Sequence, residues 1–292
     1  MIPKGCVAVI SHDSGGAEIL SSWLRYNKVP YSLSLAGPAK TIFKHKIGKF
    51  NNQSLNMAID NSDWVLTGTS WASDLEYSAI GLAKKKKKFV ASYLDHWVHY
   101  LERFTWHGPE VLPDEIWVGD KDAEILAEKT FKSSSVRLVN NPYWIDFKRE
   151  YQSIINNKKC ENGIRLLYLS SNIDDIRKKR KTVNNTDNDI WEIFSNNLFK
   201  VIDKNNLKQI SIRKHPSEKK SKFKNYKLDN ILVLIDKNEH LIDSFKDHTH
   251  VIGHNSMALV LSQLCGLETI NIWKSLTNNS LIPRKYIDHY LL

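Results

Sequence analysis

The sequence predicts an α/β protein of two doubly wound domains, each a parallel sheet with helices on both faces. Three observations carry this expectation. Short, continuously apolar runs recur along the chain with helical stretches between them, the pattern of strands buried on both faces. The 292 residues suit two domains of about 150 residues each. The charge is also unevenly shared: residues 1–146 hold 17 Lys and Arg against 16 Asp and Glu, whereas residues 147–292 hold 25 against 16. Nearly all of the net +10 therefore belongs to the second half.

In the first half, the run VAVI predicts a strand over 7–10, followed by a turn and a helix over 17–26. Strands are expected at 31–35 and 64–67, a helix at 74–86, strands at 89–94 and 115–118, a helix at 120–130 and a strand at 136–139. Five lysines at 84–88 read as a helix C-terminus, where the helix dipole favours cations. Asn140, Asn141 and Pro142 place a linker at 140–144, because proline discourages helix before it. The domains are thus expected at 1–143 and 144–292. In the second half, strands are expected at 165–169, 209–213, 231–235, 251–252 and 269–272, with helices at 187–203, 239–245 and 256–264. Ligands of such sheets bind beyond the carboxyl ends of the strands, here expected to open onto an interdomain cleft.

Composition excludes several classes. A hydrophobic fraction of 41% with 25% charged residues is that of a folded globular chain. Cys6, Cys160 and Cys265, odd in number and far apart, exclude a disulfide scaffold and a cysteine-based zinc knuckle. The N-terminal apolar run lacks a cleavage signature and reads as a strand rather than a signal peptide. No window reaches about 18 uninterrupted apolar residues, so a cytoplasmic chain is expected, peripheral to a membrane at most. The surplus of cations calls for an anionic partner: a phosphorylated ligand, a lipid surface or nucleic acid. Seven of nine tryptophans lie in the first half, which suggests aromatic faces for sugar rings there, Trp71 and Trp97 among them.

Four clusters could carry chemistry. After the first strand come His12 and Asp13, with Gly15, Gly16 and Glu18. The glycines let backbone approach a ligand, the following helix offers free N–H groups, and the titratable groups suit a general base. Asp13 or, preferentially, Ser14 would cap that helix. The GxGxxG dinucleotide fingerprint is absent, which argues against NAD. After the fourth strand, Asp95 and His96 adjoin Trp97, either in a functional cleft or as a support that orients His12 or Asp13. His96 and His99 lack an obvious third ligand and no HExxH occurs, so no metal is expected.

The strand at 209–213 ends in Arg213, Lys214, His215 and Pro216: a planar fork for phosphate, a cation, and an imidazole able to meet an oxyanion. Gly253, His254, Asn255 and Ser256 lead from a buried strand into an apolar helix, capped by Asn255 or Ser256 and open to an anion. Ser170 and Ser171, at the end of the strand 165–169, join this expected nucleotide-binding set. The Asp-x-Asp pairs at 120–122 and 187–189 read as helix starts. The basic stretch from Arg177 to Lys181 reads as a loop suited to surface anchoring.

The Arg213-Lys214-His215-Pro216 segment is similar to the His-Pro motif, and Gly253-His254-Asn255-Ser256 to the serine motif, of bacterial glycosyltransferases that use CMP-activated acidic sugars. These are the sialyltransferases and Kdo transferases of surface-polysaccharide assembly, and Asn141-Pro142 resembles their interdomain entry. The resemblance covers the second half best. It implies two Rossmann-like domains of the GT-B type and an inverting, metal-independent transfer of a nonulosonate to a glycan or lipid-linked glycan acceptor. His215 and Ser256 would contact the CMP phosphate, and a first-domain carboxylate would be the base: Asp13, with Asp95 or His96 behind it. The chain has no Asp-Gly acidic motif of the sialyltransferase kind.

The expected mechanism places Asp13 on the acceptor hydroxyl and Arg213, His215 and the Ser256 helix on the leaving phosphate. Gly15, Gly16, Glu18, Trp71 and Trp97 would line the acceptor. The cradle needs no cofactor beyond the donor, and lipid-linked acceptors imply peripheral contact with the anionic inner face of the cytoplasmic membrane. The same motifs resemble CDP-glycerol phosphotransferases of teichoic acid synthesis, the alternative enzyme. A nucleic-acid-binding protein is the alternative of another class; with few stacking aromatics in the basic half and no RNA motif, no nucleic-acid partner is expected.

Overall fold

The computed structural model describes residues 2–70, 72–155, 163–171, 186–215, 218, 228, 231–272 and 281–291. The chain divides into two compact units, Met1–Asp146 and Phe147–Leu292.

The first unit runs β1 (Val7–Ser11), α1 (Ser14–Asn27), β2 (Tyr31–Leu35), α2 (Ala39–Ile47), α3 (Leu55–Asp60), β3 (Trp64–Thr67) and α4 (Leu75–Lys85). It continues through β4 (Val90–Leu94), β5 (Glu115–Val118), α5 (Lys121–Thr130), β6 (Ser135–Leu138) and the start of α6 (Pro142–Ile155). All pairings are parallel, in the order β2-β1-β3-β4-β5-β6. The chain steps outward from β1 to β2, then returns to β1's other side for β3. The order therefore reverses between β1 and β3, the point at which sheets of this kind bind ligands in a crevice beyond the strand ends.

Trp23, Trp64 and Trp117 interlock in this core, with ring centroids 5.7 to 6.0 Å apart. All three are at most 2% exposed. These three of the seven first-half tryptophans are therefore packing residues.

Two short helices escape the sequence pattern. Helix α2 buries only Ala39 and Phe43. Helix α3 has six residues, too few to show a period, and is started by Ser54 accepting from Met57 N–H. The expected linker is instead the beginning of α6. Pro142 occupies its first position, where the missing N–H costs nothing, and Asn141 Oδ1 accepts from Tyr143 N–H at 3.0 Å. The division between units falls inside this helix. Lys84 and Lys85 lie in the last turn of α4, as a favourable dipole requires. Lys88 Nζ reaches farther and donates to the Ile59 and Asp60 carbonyls at the end of α3.

The second unit contains β7 (Ile164–Leu169), α7 (Asp187–Asn197), β8 (Leu207–Arg213), β9 (Val233–Ile235) and α8 (Leu241–Asp247). Then follow β10 (His250–Gly253), α9 (Met257–Leu264), β11 (Glu268–Ile272) and β12 (His289–Leu291). This sheet is also parallel, ordered β12-β11-β10-β7-β8-β9, and reverses between β7 and β10. Tyr168, Trp191 and Phe194 pack its core, with centroids 4.9 to 5.1 Å apart. Both Asp-x-Asp pairs are helix starts. Asp120 caps α5 through Ala123 N–H, and Thr186 forms a reciprocal capping box with Asp189. The helix expected over 187–203 ends at Asn197 and tightens into a 3-10 turn over Leu198–Lys200.

Candidate functional site

The first crevice is built around a close backbone crossing. A methyl on Gly16, at the start of α1, would come within 3.2 Å of the Gly68 Cα beyond β3. A methyl on Gly15 would lie 1.9 Å from Asp95 Oδ2. Glycine at 15 and 16 is therefore demanded by packing at the reversal point. The loop carries His12 and Asp13, joined by a 2.7 Å contact between His12 Nδ1 and Asp13 Oδ1, both side chains partly exposed. Asp13, rather than Ser14, holds the cap position of α1, but its carboxylate makes no capping bond. His12's ring lies against Gly37, whose φ of +49° also favours glycine.

Beneath the loop lies a residue the motif reading missed. Glu76, in the first turn of α4, is 3% exposed; its Oε1 accepts from His12 N–H at 2.6 Å. Its Oε2 has no hydrogen-bond partner among the described residues, and neither has Ser11 Oγ, which sits at the same glycine crossing. Burial pushes the Glu76 carboxyl up to about 7, against the backbone N–H groups of His12 and Glu76 itself that favour its ionised form. The helical period held the signal: Glu76 shares the buried stripe of α4 with Ala79, Ile80 and Ala83, an odd place for a charge.

Asp95 and His96 stand beside this loop without pointing to general-base duty. Asp95 Oδ1 takes Arg103 Nη1 at 2.6 Å, and the same nitrogen donates to Thr69 Oγ1 at 2.7 Å. With Arg103 buried, this ion pair braces the first turn of α1 from the β4 side. His96 Nδ1 accepts from Trp97 N–H at 2.9 Å. Burial lowers its ring to about 4, so at neutral pH it is an uncharged imidazole whose free nitrogen is a donor. These contacts fit the support role that the sequence offered as one of two readings of the pair.

Trp97 is also buried. Its Nε1 donates to Asp120 Oδ2 at 3.1 Å, and its ring lies 6.1 Å from that of Trp144. These residues, with Leu94 and Asn141, line a small pocket next to Asp95 and His96. Glu18, expected near an acceptor, is 2.6 Å from Lys46 Nζ and fastens α2 to α1. Trp71 lies outside the described residues.

In the second unit, the strand ends around the β7–β10 reversal gather much of the expected donor set. Gly253 pairs with Leu169, so Ser170 and Ser171 leave β7 beside the loop of His254, Asn255 and Ser256. Ser256 caps α9 by accepting from Ala258 N–H at 3.3 Å. Asn255, at φ +47°, donates its N–H to Asn271 Oδ1 at 2.9 Å, and His254 Nδ1 donates to Ile272 O at 2.8 Å. These bonds set the loop on the end of β11. Beyond β8, Lys214 and His215 follow Arg213, and Pro216 lies outside the described residues. Glu218 bridges two strand ends: Oε1 accepts from Ser170 Oγ at 2.9 Å and Oε2 from His215 N–H at 2.8 Å. Sequence reasoning missed this carboxylate.

Arg213 is the main correction. Its Nη1 donates to Asp236 Oδ2 at 2.8 Å, Ser244 Oγ at 2.7 Å and Asn238 O at 2.9 Å, and its Nη2 to Glu239 O at 3.0 Å. Burial would raise the Asp236 carboxyl, but the Ser244 and Arg213 bonds outweigh it and hold it below the usual range. The guanidinium is engaged by the segment between β9 and α8.

No protein-family model and no curated protein matches this chain by sequence. Solved structures do match it in shape. The UDP-GlcNAc 2-epimerase from Methanocaldococcus jannaschii aligns with a TM-score of 0.60 at 12% identity, over 91% of this chain and 83% of that one. MnaA of S. aureus, solved with UDP, aligns with a TM-score of 0.63 at 11% identity, over 92% and 80%. The glycotransferase of kitacinnamycin aligns with a TM-score of 0.53 at 10% identity, over 96% and 82%. Two parallel six-stranded sheets in this arrangement make the GT-B fold, and that fold is what this chain shares with them.

Proposed function

We propose that the chain is a glycosyltransferase that moves an acidic sugar of the nonulosonate class from a CMP-activated donor to a glycan hydroxyl, with inversion. The observation that carries this reading is the gathering of Ser170, His215 and the Ser256 loop at the strand ends of the second sheet, where the sequence resembles the His-Pro and serine motifs. Ser170 Oγ and His215 N–H already engage a carboxylate, that of Glu218, so these donors are arranged for an oxyanion.

In the proposed reaction, the acceptor oxygen attacks the anomeric carbon as the bond from that carbon to the CMP phosphate oxygen breaks. The hydroxyl proton passes to the His12–Asp13 pair, with Asp13 as the base and His12 its hydrogen-bonded partner. The leaving phosphate takes up the electron pair. His215, Ser170 and the N–H groups at the start of α9 stabilise its charge, with Lys214 adding a cation. Arg213 maintains the neighbouring loop instead.

Thermal stabilisation by CMP, CDP and UDP, measured side by side, tests the donor class. The reading expects CMP to stabilise most. Preference for CDP together with transfer from CDP-glycerol would favour polyol-phosphate transfer. Preference for UDP with conversion of UDP-GlcNAc at C2 would favour the activity named for one of the similar structures.

A further inference from the structure

Resting on that reading of the first crevice, we propose that Glu76 is a positioning residue for the His12–Asp13 pair: from beneath the Gly16–Gly68 crossing it holds the loop after β1 and sets the charge behind Asp13. Three observations converge on it. The loop's backbone is anchored through His12 N–H to Glu76 Oε1 at 2.6 Å, a bond between segments 64 residues apart. The other carboxylate oxygen is buried with no partner among the described residues, an arrangement that costs stability unless it serves something else. Gly68, directly above, would bring a methyl within 3.8 Å of Glu76 Oε1, so the carboxylate forms the floor of the crossing.

The charged groups that act on Glu76 are His12 and Asp13. On its own helix, Asp74 is exposed at the cap. On the β4 side, Asp95 is neutralised by Arg103. Protonated, Glu76 adds no charge behind the His12–Asp13 pair. Ionised, it puts a second negative charge behind Asp13, which favours the proposed step in which the loop receives the acceptor's proton. The carboxyl sits at about 7, so this change falls within the neutral range.

Two variants separate anchoring from charge. Glu76→Gln keeps the acceptor for His12 N–H but cannot ionise, whereas Glu76→Ala removes both. The readout is CMP release from CMP-sialic acid or CMP-Kdo with a panel of oligosaccharide acceptors. The native kcat should rise about fivefold from pH 6 to pH 8 while E76Q stays flat, with KM for the acceptor unchanged in both. At pH 6 E76Q should match the native chain within about twofold, and E76A should fall at least about tenfold. In the free protein, the backbone N–H resonance of His12 should titrate with a midpoint near 7 and lose that step in E76Q. A native-like pH profile in E76Q, or a His12 resonance that does not titrate, would overturn the Glu76 proposal alone. Absence of transfer from every CMP-sugar by the native chain would instead overturn the reading of function, and the His12 titration would still report on Glu76.

Discussion

Arg213 and Asp236 meet at 2.8 Å, and the Asp236 side chain is only 2% exposed. The cation of the basic motif best shaped to bind phosphate is thereby an internal strut, joining the end of β8 to the segment before α8. Removing one partner leaves a largely buried charge unmatched, which typically costs about 3 kcal/mol. Arg213→Ala is accordingly expected to lower the unfolding free energy by about that amount. CMP affinity, measured well below the melting temperature, should change by less than about threefold. A large affinity loss with native stability would return Arg213 to the phosphate.

Glu218 accepts from both Ser170 and His215, where the proposed reaction puts the donor phosphate. In that reaction the phosphate would exchange with Glu218, and like charge opposes the exchange. Glu218→Gln is expected to tighten CMP binding by about threefold to tenfold at low salt, less at high salt. Calorimetric titration at two ionic strengths checks this.

Two buried groups give the first unit opposite pH slopes. Glu76 titrates near 7 folded against an ordinary 4.5, so the folded state holds a proton that the unfolded chain has released between those values. Its contribution is fullest below 4.5 and is lost as pH rises to about 7, by up to about 3 kcal/mol. His96 titrates near 4 folded against 6.5, so stability falls as pH drops from 6.5 towards 4, by a similar amount. Over the shared window the slopes largely cancel. Urea unfolding of E76Q should expose the His96 slope, with stability rising from pH 4 to pH 6.5, and E76Q should exceed the native chain at pH 8.

Arg177, Lys178, Lys179, Arg180 and Lys181 lie outside the described residues, and no phosphate role claims them. Neutralising all five should abolish binding to vesicles rich in anionic lipid and leave CMP stabilisation intact. Retained vesicle binding would make the charge ordinary solvated surface. Among the described residues, no helix is long and apolar enough to cross a membrane.

The fold was largely legible because the inner strands of both sheets are buried on two faces, so apolar runs such as VAVI and WVLT announce themselves. What escaped lacked such a run: β12 has three residues and buries only Leu291 fully, and α2 is mostly charged on its surface. For the site, the loops at both reversal points were readable from their glycines and the histidines beside them. Side-chain destinations were not. Arg213, Glu18 and Asp95 look free in sequence, yet each meets an opposite charge from a distant segment: Asp236, Lys46 and Arg103. Glu76 was hidden for the converse reason, since an acid in a first helical turn is ordinary until its burial is known.

The proposed transfer is tested most directly by following CMP release and glycan product together, with the native chain, Asp13→Ala and His215→Ala supplied with CMP-sialic acid, CMP-Kdo and CDP-glycerol. The account predicts a glycosylated product of inverted anomeric configuration from a CMP-sugar, and loss of at least about a thousandfold in both variants with folding intact. Native-like transfer by Asp13→Ala, or turnover of CDP-glycerol alone, would contradict it.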